Sequence, residues 1–169
     1  MFKKFYPNRY VDSTYSINFQ ELYDKGYRGL IFDIDNTLVK HGADADDRAI
    51  ALFADLKKIG YRICLLSNNK IERVERFNNV VQVQYIHDAH KPSKKNYQKA
   101  MDIMNTNISN TLFIGDQLFT DIYGANRVGL NTILVKPIDK KEEIQIVLKR
   151  YLEKIVLYFY HRQMKKTRK

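Results

Sequence analysis

Apolar and polar positions alternate along this chain in short blocks. The near-continuous apolar run Gly29–Ile34 is the length of a buried strand. Asp46 or Asp47 then caps a helix that ends near Ile59, with Gly60 as its stop. Residues 61–66, "YRICLL", form a second strand, and Asn68–Asn69 turn the chain into a helix around Ile71–Phe77. "VQVQYI" (81–86) alternates strictly, which predicts a third, partly exposed strand. Pro92–Ser93 opens a helix to about Asn105, "TLFIG" is the fourth strand, a helix follows over Leu118–Val128, and "NTILV" is the fifth. A long helix runs from Lys140 to about Met164.

Strands alternating with helices predict parallel βαβ units, so the fold class is α/β: one doubly wound, Rossmann-like parallel sheet of about five strands with helices on both faces. Right-handed crossovers place every strand's C-terminal end on one edge of such a sheet. Residues 1–169 read as a single domain, with a core over about 29–137, an N-terminal basic-aromatic segment 1–28 and a C-terminal basic amphipathic helix over about 140–164. No internal repeat or low-complexity linker interrupts it.

Composition narrows the picture. A hydrophobic fraction of 44% belongs to a globular chain. The single cysteine, Cys64, excludes an internal disulfide and any multi-cysteine metal site; inside an apolar strand it reads as a core thiol. The longest apolar run near the C-terminus, Ile155–Tyr160, is far shorter than the ~20 residues that span a bilayer, and the N-terminus lacks the apolar stretch of a secretory signal. The expected location is cytoplasmic, with contact at the inner face of the membrane.

The net charge of +10 is unevenly spread. From Asp139 onward ten Lys/Arg stand against four Asp/Glu, whereas residues 29–138 carry fourteen against twelve. The excess lies in the tail, where it attracts anionic lipid or nucleic acid alike. Leu148, Tyr151, Leu152, Ile155 and Phe159 fall on one face of the terminal helix, among Lys149, Arg150, Lys154, Arg162, Lys165 and Lys166. Two readings stand side by side: an interfacial membrane helix, or a helix packing that face on its own core or a second copy.

The chemistry gathers at the strand ends. Asp33 and Asp35 close the first strand, Ser67 follows the second, Asp116 the fourth, and Lys91 opens a helix. In open α/β sheets ligands sit at these C-terminal ends. Two carboxylates one residue apart need positive partners, since an unpaired buried charge costs several kcal/mol.

"DIDNT" (33–37), Ser67 after its strand, "KP" (91–92) and "GDQLFTD" (115–121) resemble, in order, the four motifs of haloacid dehalogenase-type phosphatases over about residues 29–135. "DIDNTLV", "SNN", "AHKP" and "GDQLFTD" resemble more narrowly the small IIIA-type, YqeG-like branch, itself similar to mitochondrial phosphatidylglycerophosphate phosphatase. The resemblance implies a Mg²⁺-dependent phosphomonoester hydrolase, with Asp33 as nucleophile and Asp35 as general acid and base. Asp33, Asp116 and the main-chain carbonyl of Asp35 would hold the metal. Thr37, Ser67 and the Asn68 amide would hold phosphate oxygens, Lys91 would neutralise charge, and Asp121 would orient Lys91 or a metal-bound water. Cap domains in this superfamily follow the first motif or lie between the second and third. Here about nine residues follow Thr37 before a helix, and Ser67 and Lys91 stand 24 positions apart, so no cap fits. An open site suits a phosphate on a large or surface-bound substrate: phosphatidylglycerophosphate, or in the alternative a nucleic-acid end or a phosphoprotein; a further alternative is that the basic tail binds RNA or a ribonucleoprotein and phosphatase activity is secondary. His41, His87 and His90 receive no role.

Overall fold

The computed structural model describes residues 2–139 and 144–167. Six parallel strands form one sheet: β1 (Arg9–Val11), β2 (Gly29–Phe32), β3 (Arg62–Leu66), β4 (Gln84–Ile86), β5 (Thr111–Gly115) and β6 (Asn131–Val135), in the order β1-β6-β5-β2-β3-β4. The α-helices are α1 (Phe19–Asp24), α2 (Asp47–Ile59), α3 (Ile71–Val81), α4 (Lys94–Met104), α5 (Tyr123–Val128) and α6 (Ile144–Thr167).

Local chemistry explains most boundaries. The Asp46 carboxylate accepts from the Ala49 N–H at the start of α2, and Gly60 ends that helix in the left-handed region at φ 109°. Besides α1, which the pattern did not single out, and the helix expected over Leu118–Val128, which is α-helical only from Tyr123, two features of the sheet depart from the sequence pattern. The segment 81–86 is not all strand: α3 runs on to Val81, where Val74, Phe77 and Val81 line one buried face, and only Gln84–Ile86 pairs with β3. Helical periodicity that buries Val81 outweighs the local alternation. The other departure is β1, a sixth strand in a segment without strand periodicity. Its three residues pair with Ile133, Leu134 and Val135, so long-range pairing creates it.

Alternate residues of the central strands point to opposite layers. Leu30, Phe32, Leu65 and Ile114 pack with Phe53, Val74 and Phe77 of α2 and α3. Ile31, Cys64, Leu66 and Phe113 meet Tyr97, Ala100 and Met101 of α4 and Ala125 of α5. A third cluster joins Leu118, Ile122 and Leu134 to Val156 of α6, with Phe2, Phe5, Tyr6 and Tyr10 against it. The aromatics of the N-terminal segment therefore serve packing: Phe2 stacks on Phe159 and Tyr6 meets Tyr160 edge-on.

The terminal helix packs with the face opposite to its long apolar stripe. Glu153, Val156 and Tyr160 are buried, while Tyr151, Leu152, Ile155 and Phe159 are exposed. Burial of the stripe in the protein's own core is thereby excluded for Tyr151, Leu152 and Ile155, while Phe159, though exposed, stacks on Phe2; the side chain of Leu148 and the helix start at Lys140 lie outside the described residues. Among the described residues no helix is long and apolar enough to cross a membrane. Only α3 and β4 lie between Ser67 and Lys91, and no separate cap covers the strand ends.

Candidate active site

The chain leaves β2 toward β3 on one side and returns at β5 on the other, so the crevice beyond the β2 and β5 ends is the topological switch point. Asp33 and Asp116 stand there. After Asp33 the backbone turns sharply: Asn36 takes the left-handed conformation at φ 62° and its N–H donates to the Val39 carbonyl at 2.7 Å. Asparagine tolerates that region, and its carbonyl and carboxamide oxygens accept the N–H groups of Ile138 and Asp139.

Lys91 is the hub. Its ammonium donates to Asp33 Oδ1 at 2.6 Å and to Asp121 Oδ1 at 2.7 Å, and all three groups are buried. Asn68 fixes Lys91 from behind: its carboxamide oxygen accepts the Lys91 N–H at 2.7 Å. The Asn68 side chain is thus committed to the backbone of Lys91. Asp121 also accepts from the Gln117 N–H, and it leans over Gly115, where a Cβ would stand 2.5 Å from Asp121 Oδ2. The glycine before Asp116 is required by that close approach.

Thr37 lies between the two strand-end carboxylates, its hydroxyl 3.4 Å from Asp33 Oδ2 and 3.2 Å from Asp116 Oδ1. Ser67 is buried, its hydroxyl oxygen accepting from the N–H and carboxamide of Asn69. Asp33, Asp116 and Asp121 bring carboxylate oxygens within 4.8 Å of one another, an all-oxygen set that suits a hard divalent cation. Charge points the same way. Among the described residues two buried groups lie here, Lys91 with Asp33 and Asp121 and Arg150 with Asp116 and Glu153, and in each two carboxylates share one cation. The excess is felt by the acids: burial pushes the Asp33 carboxyl up to about 7 against the pull of Lys91, and raises Asp116 well above the usual range against Arg150.

Asp35 belongs to a different environment, and its carboxylate lies outside the acidic cluster. It accepts from Arg73 Nη2 at 2.8 Å, Asn69 Nδ2 at 2.5 Å and the Gly42 N–H at 2.9 Å, with His41 Nδ1 at 4.0 Å. Burial works to raise its carboxyl, but the Arg73 and Gly42 bonds outweigh it and hold it below the usual range. Arg73 was not legible as a site residue. It sits in the first turn of α3, and its Nε and Nη1 are buried with no hydrogen-bond partner among the described residues.

The second unanticipated group is Arg150 of α6. Its guanidinium pairs with Asp116 Oδ2, donates to the Asp116 carbonyl at 2.7 Å, and bonds Glu153 at 2.9 Å. Glu153 in turn accepts the Leu118 N–H at 2.8 Å. In the sequence Arg150 stands only among the basic residues of an amphipathic helix.

Comparison with known proteins agrees with this geometry. The family model for HAD-hydrolase-like proteins matches residues 89–144. The chain is 34% identical over 159 residues to "Probable phosphatase YqeG" of Bacillus subtilis, covering 93% of this chain and 92% of that protein. It is 24% identical to "Phosphatidylglycerophosphate phosphatase 1, chloroplastic/mitochondrial" of Arabidopsis thaliana, over 95% of this chain and 48% of that protein. Among solved structures, a HAD superfamily (subfamily III A) hydrolase from Legionella pneumophila shares the fold, with TM-score 0.52 at 18% identity over 68% of each chain.

Proposed function

Because this chain belongs to the haloacid dehalogenase-type phosphatases, we propose that it is a Mg²⁺-dependent phosphomonoesterase whose substrate is phosphatidylglycerophosphate, met at a membrane surface. The observation that carries the chemistry is the convergence of Asp33, Asp116 and Lys91 at an open strand edge.

In this reading a carboxylate oxygen of Asp33 attacks phosphorus as the bond to the alcohol oxygen breaks, leaving an aspartyl phosphate. Asp35 gives its proton to the departing alkoxide, then takes one from the water that attacks the aspartyl phosphate. That second displacement frees inorganic phosphate and restores Asp33. Lys91, held by Asp121 and Asn68, neutralises charge on Asp33 and the phosphoryl group, and Thr37, Ser67 and the Asn68 N–H receive phosphate oxygens. Asp33 and Asp116, with Asp121 beside them, would hold Mg²⁺, which when bound supplies positive charge to the transferring phosphoryl group.

Support for the substrate comes from the missing cap, the named activity of the Arabidopsis relative, and the outward face of α6, where exposed Tyr151, Leu152, Ile155 and Phe159 stand among lysines and arginines. The test is Mg²⁺-dependent phosphate release from phosphatidylglycerophosphate in anionic micelles, beside glycerol 3-phosphate and a 5′-phosphorylated oligonucleotide. Preference for the lipid, abolished by EDTA and by Asp33→Asn, supports the reading. Preference for the oligonucleotide overturns the substrate, and turnover by Asp33→Asn overturns the mechanism.

A further inference from the structure

Asn69, the last residue of "SNN", stands between two groups of the candidate site. It lies half-buried in the connection from β3 to α3, and its main-chain carbonyl accepts the Asp88 N–H at 2.8 Å. Its carboxamide NH2 reaches both neighbours: Nδ2 donates to Asp35 Oδ2 at 2.5 Å and to Ser67 Oγ at 3.0 Å. The Asn69 main-chain N–H donates to the same Ser67 oxygen at 3.1 Å.

We propose that Asn69 is a positioning residue that joins the phosphate-holding serine to the acid, aiming the proton of Asp35 at the departing alcohol and the hydrogen of Ser67 at the phosphate. The inference deepens the mechanism proposed above and rests on it.

Hydrogen-bond capacity fixes these roles. A carboxylate oxygen accepts about two hydrogen bonds. At Asp35, Oδ1 is filled by Arg73 Nη2 at 2.8 Å and the Gly42 N–H at 2.9 Å. Arg76, three residues after Arg73, donates to the Gly42 carbonyl at 2.7 Å and so steadies that loop. Oδ2 accepts from Asn69, while His41 Nδ1 at 4.0 Å lies beyond hydrogen-bond reach. The second position on Oδ2 is therefore where Asp35 carries the proton it gives up. The oxygen that meets the alcohol is the one Asn69 holds, which sets the leaving group on the α3 side of the crevice. Ser67 follows the same count. A hydroxyl has two acceptor positions and one hydrogen. The two N–H donors of Asn69 fill both acceptor positions, so the hydrogen is left to donate to a phosphate oxygen.

The test uses two soluble esters of similar shape, benzyl phosphate and 4-nitrophenyl phosphate, so that the choice of lipid plays no part. The benzyl alkoxide needs a proton as it leaves, whereas 4-nitrophenolate departs without one. Asn69→Ala removes the carboxamide, and Asn69→Asp keeps its shape but turns an oxygen toward Asp35. In both, the ratio of kcat/KM for benzyl phosphate to that for 4-nitrophenyl phosphate is expected to fall at least about tenfold. Damage to the fold alone lowers both esters together and leaves the ratio where it was. In an Asp35→Asn background, which itself lowers the ratio, Asn69→Ala is expected to lower it no further. An unchanged ratio in both Asn69 variants, each with a native melting transition, overturns the inference while the proposed mechanism stands, and so does a further fall in the Asp35→Asn background. For the serine, the Ki of inorganic phosphate is expected to rise in Asn69→Ala, and an unchanged Ki overturns that half. An unchanged ratio in Asp35→Asn means that Asp35 is not the acid: the proposed mechanism then fails, and this inference with it.

Discussion

Asp33 and Asp35 stand two residues apart and meet opposite surroundings. Asp33 shares one ammonium with Asp121 in a buried acidic cluster, whereas Asp35 accepts from a guanidinium, a carboxamide and a main-chain N–H. Environments that push two carboxyls apart are how one pair of acids takes two roles. In the proposed mechanism Asp35 must carry a proton when the alcohol departs, yet its carboxyl is held low and is ionised above that depressed value. Asp33 must be ionised to attack, so the kcat/KM for a soluble phosphomonoester should fall as pH rises above about 7, where that ionisation no longer offsets the loss of protonated Asp35. Replacing Arg73 with Met removes a cause of the depression, so the falling limb should move to higher pH; profiles of the two proteins over pH 5 to 9 check this. Asp35 also contributes stability that is present above its unfolded value, about 4, and is lost as pH falls through the depressed folded value. Lys91→Met leaves Asp33 and Asp121 facing each other without their cation. Unfolding in urea should then report a loss of about 3–5 kcal/mol, as when one partner of a buried ion pair is removed. Cys64 is inert by burial, which pushes its thiol up to about 12. Its lack of reaction with a thiol reagent at pH 8 would confirm that this strand stays closed.

At the scale of elements, α6 joins two jobs on opposite faces. Inward, Val156 and Tyr160 anchor it while Arg150 and Glu153 bind the loop after β5. Outward, Leu152 and Ile155 are each more than half exposed, which is unusual for apolar residues so close together. Leu152→Asp with Ile155→Asp should leave folding intact, because neither side chain is buried. The pair should strongly reduce co-sedimentation with phosphatidylglycerol vesicles, including the part that survives high salt. Binding that persists, or that vanishes entirely with salt, would assign the face to another partner. The loop that carries Asp116 depends equally on Gly115. An added methyl there collides with Asp121, so Gly115→Ala should lower activity and the melting temperature together.

For the whole molecule, the buried carboxyls of Asp33, Asp116 and Asp121 would couple folding to metal binding. A divalent ion that binds only the folded chain stabilises it by mass action, by about 2.7 kcal/mol at a hundred times its dissociation constant. Mg²⁺ should therefore raise the melting temperature of the wild-type protein and do so far less for Asp116→Asn. The measurement needs no substrate and so separates the metal site from the choice of lipid.

Periodicity and motif order determined a good deal on their own. The strands β2 to β6, apart from the shorter extent of β4, the helices between them and the placement of Asp33, Ser67, Lys91 and Asp116 at one sheet edge were legible, because parallel βαβ units leave little freedom in where strand ends fall. The gap lengths around the motifs likewise excluded a cap. What tertiary structure decided are contacts between elements far apart in sequence. Arg73 is one helical lysine or arginine among many until α3 packs beside the first loop and sets it against Asp35. Arg150 reads as one of the charges of a basic helix until the third cluster turns its face inward, with Glu153 beside it. The strand β1 exists only because β6 offers an edge to pair with. The apolar stripe on α6 illustrates the limit: spacing identified the stripe, but only the packing of the opposite face established that it points outward. A side chain's partner across the fold is set by global geometry, which local patterning does not encode.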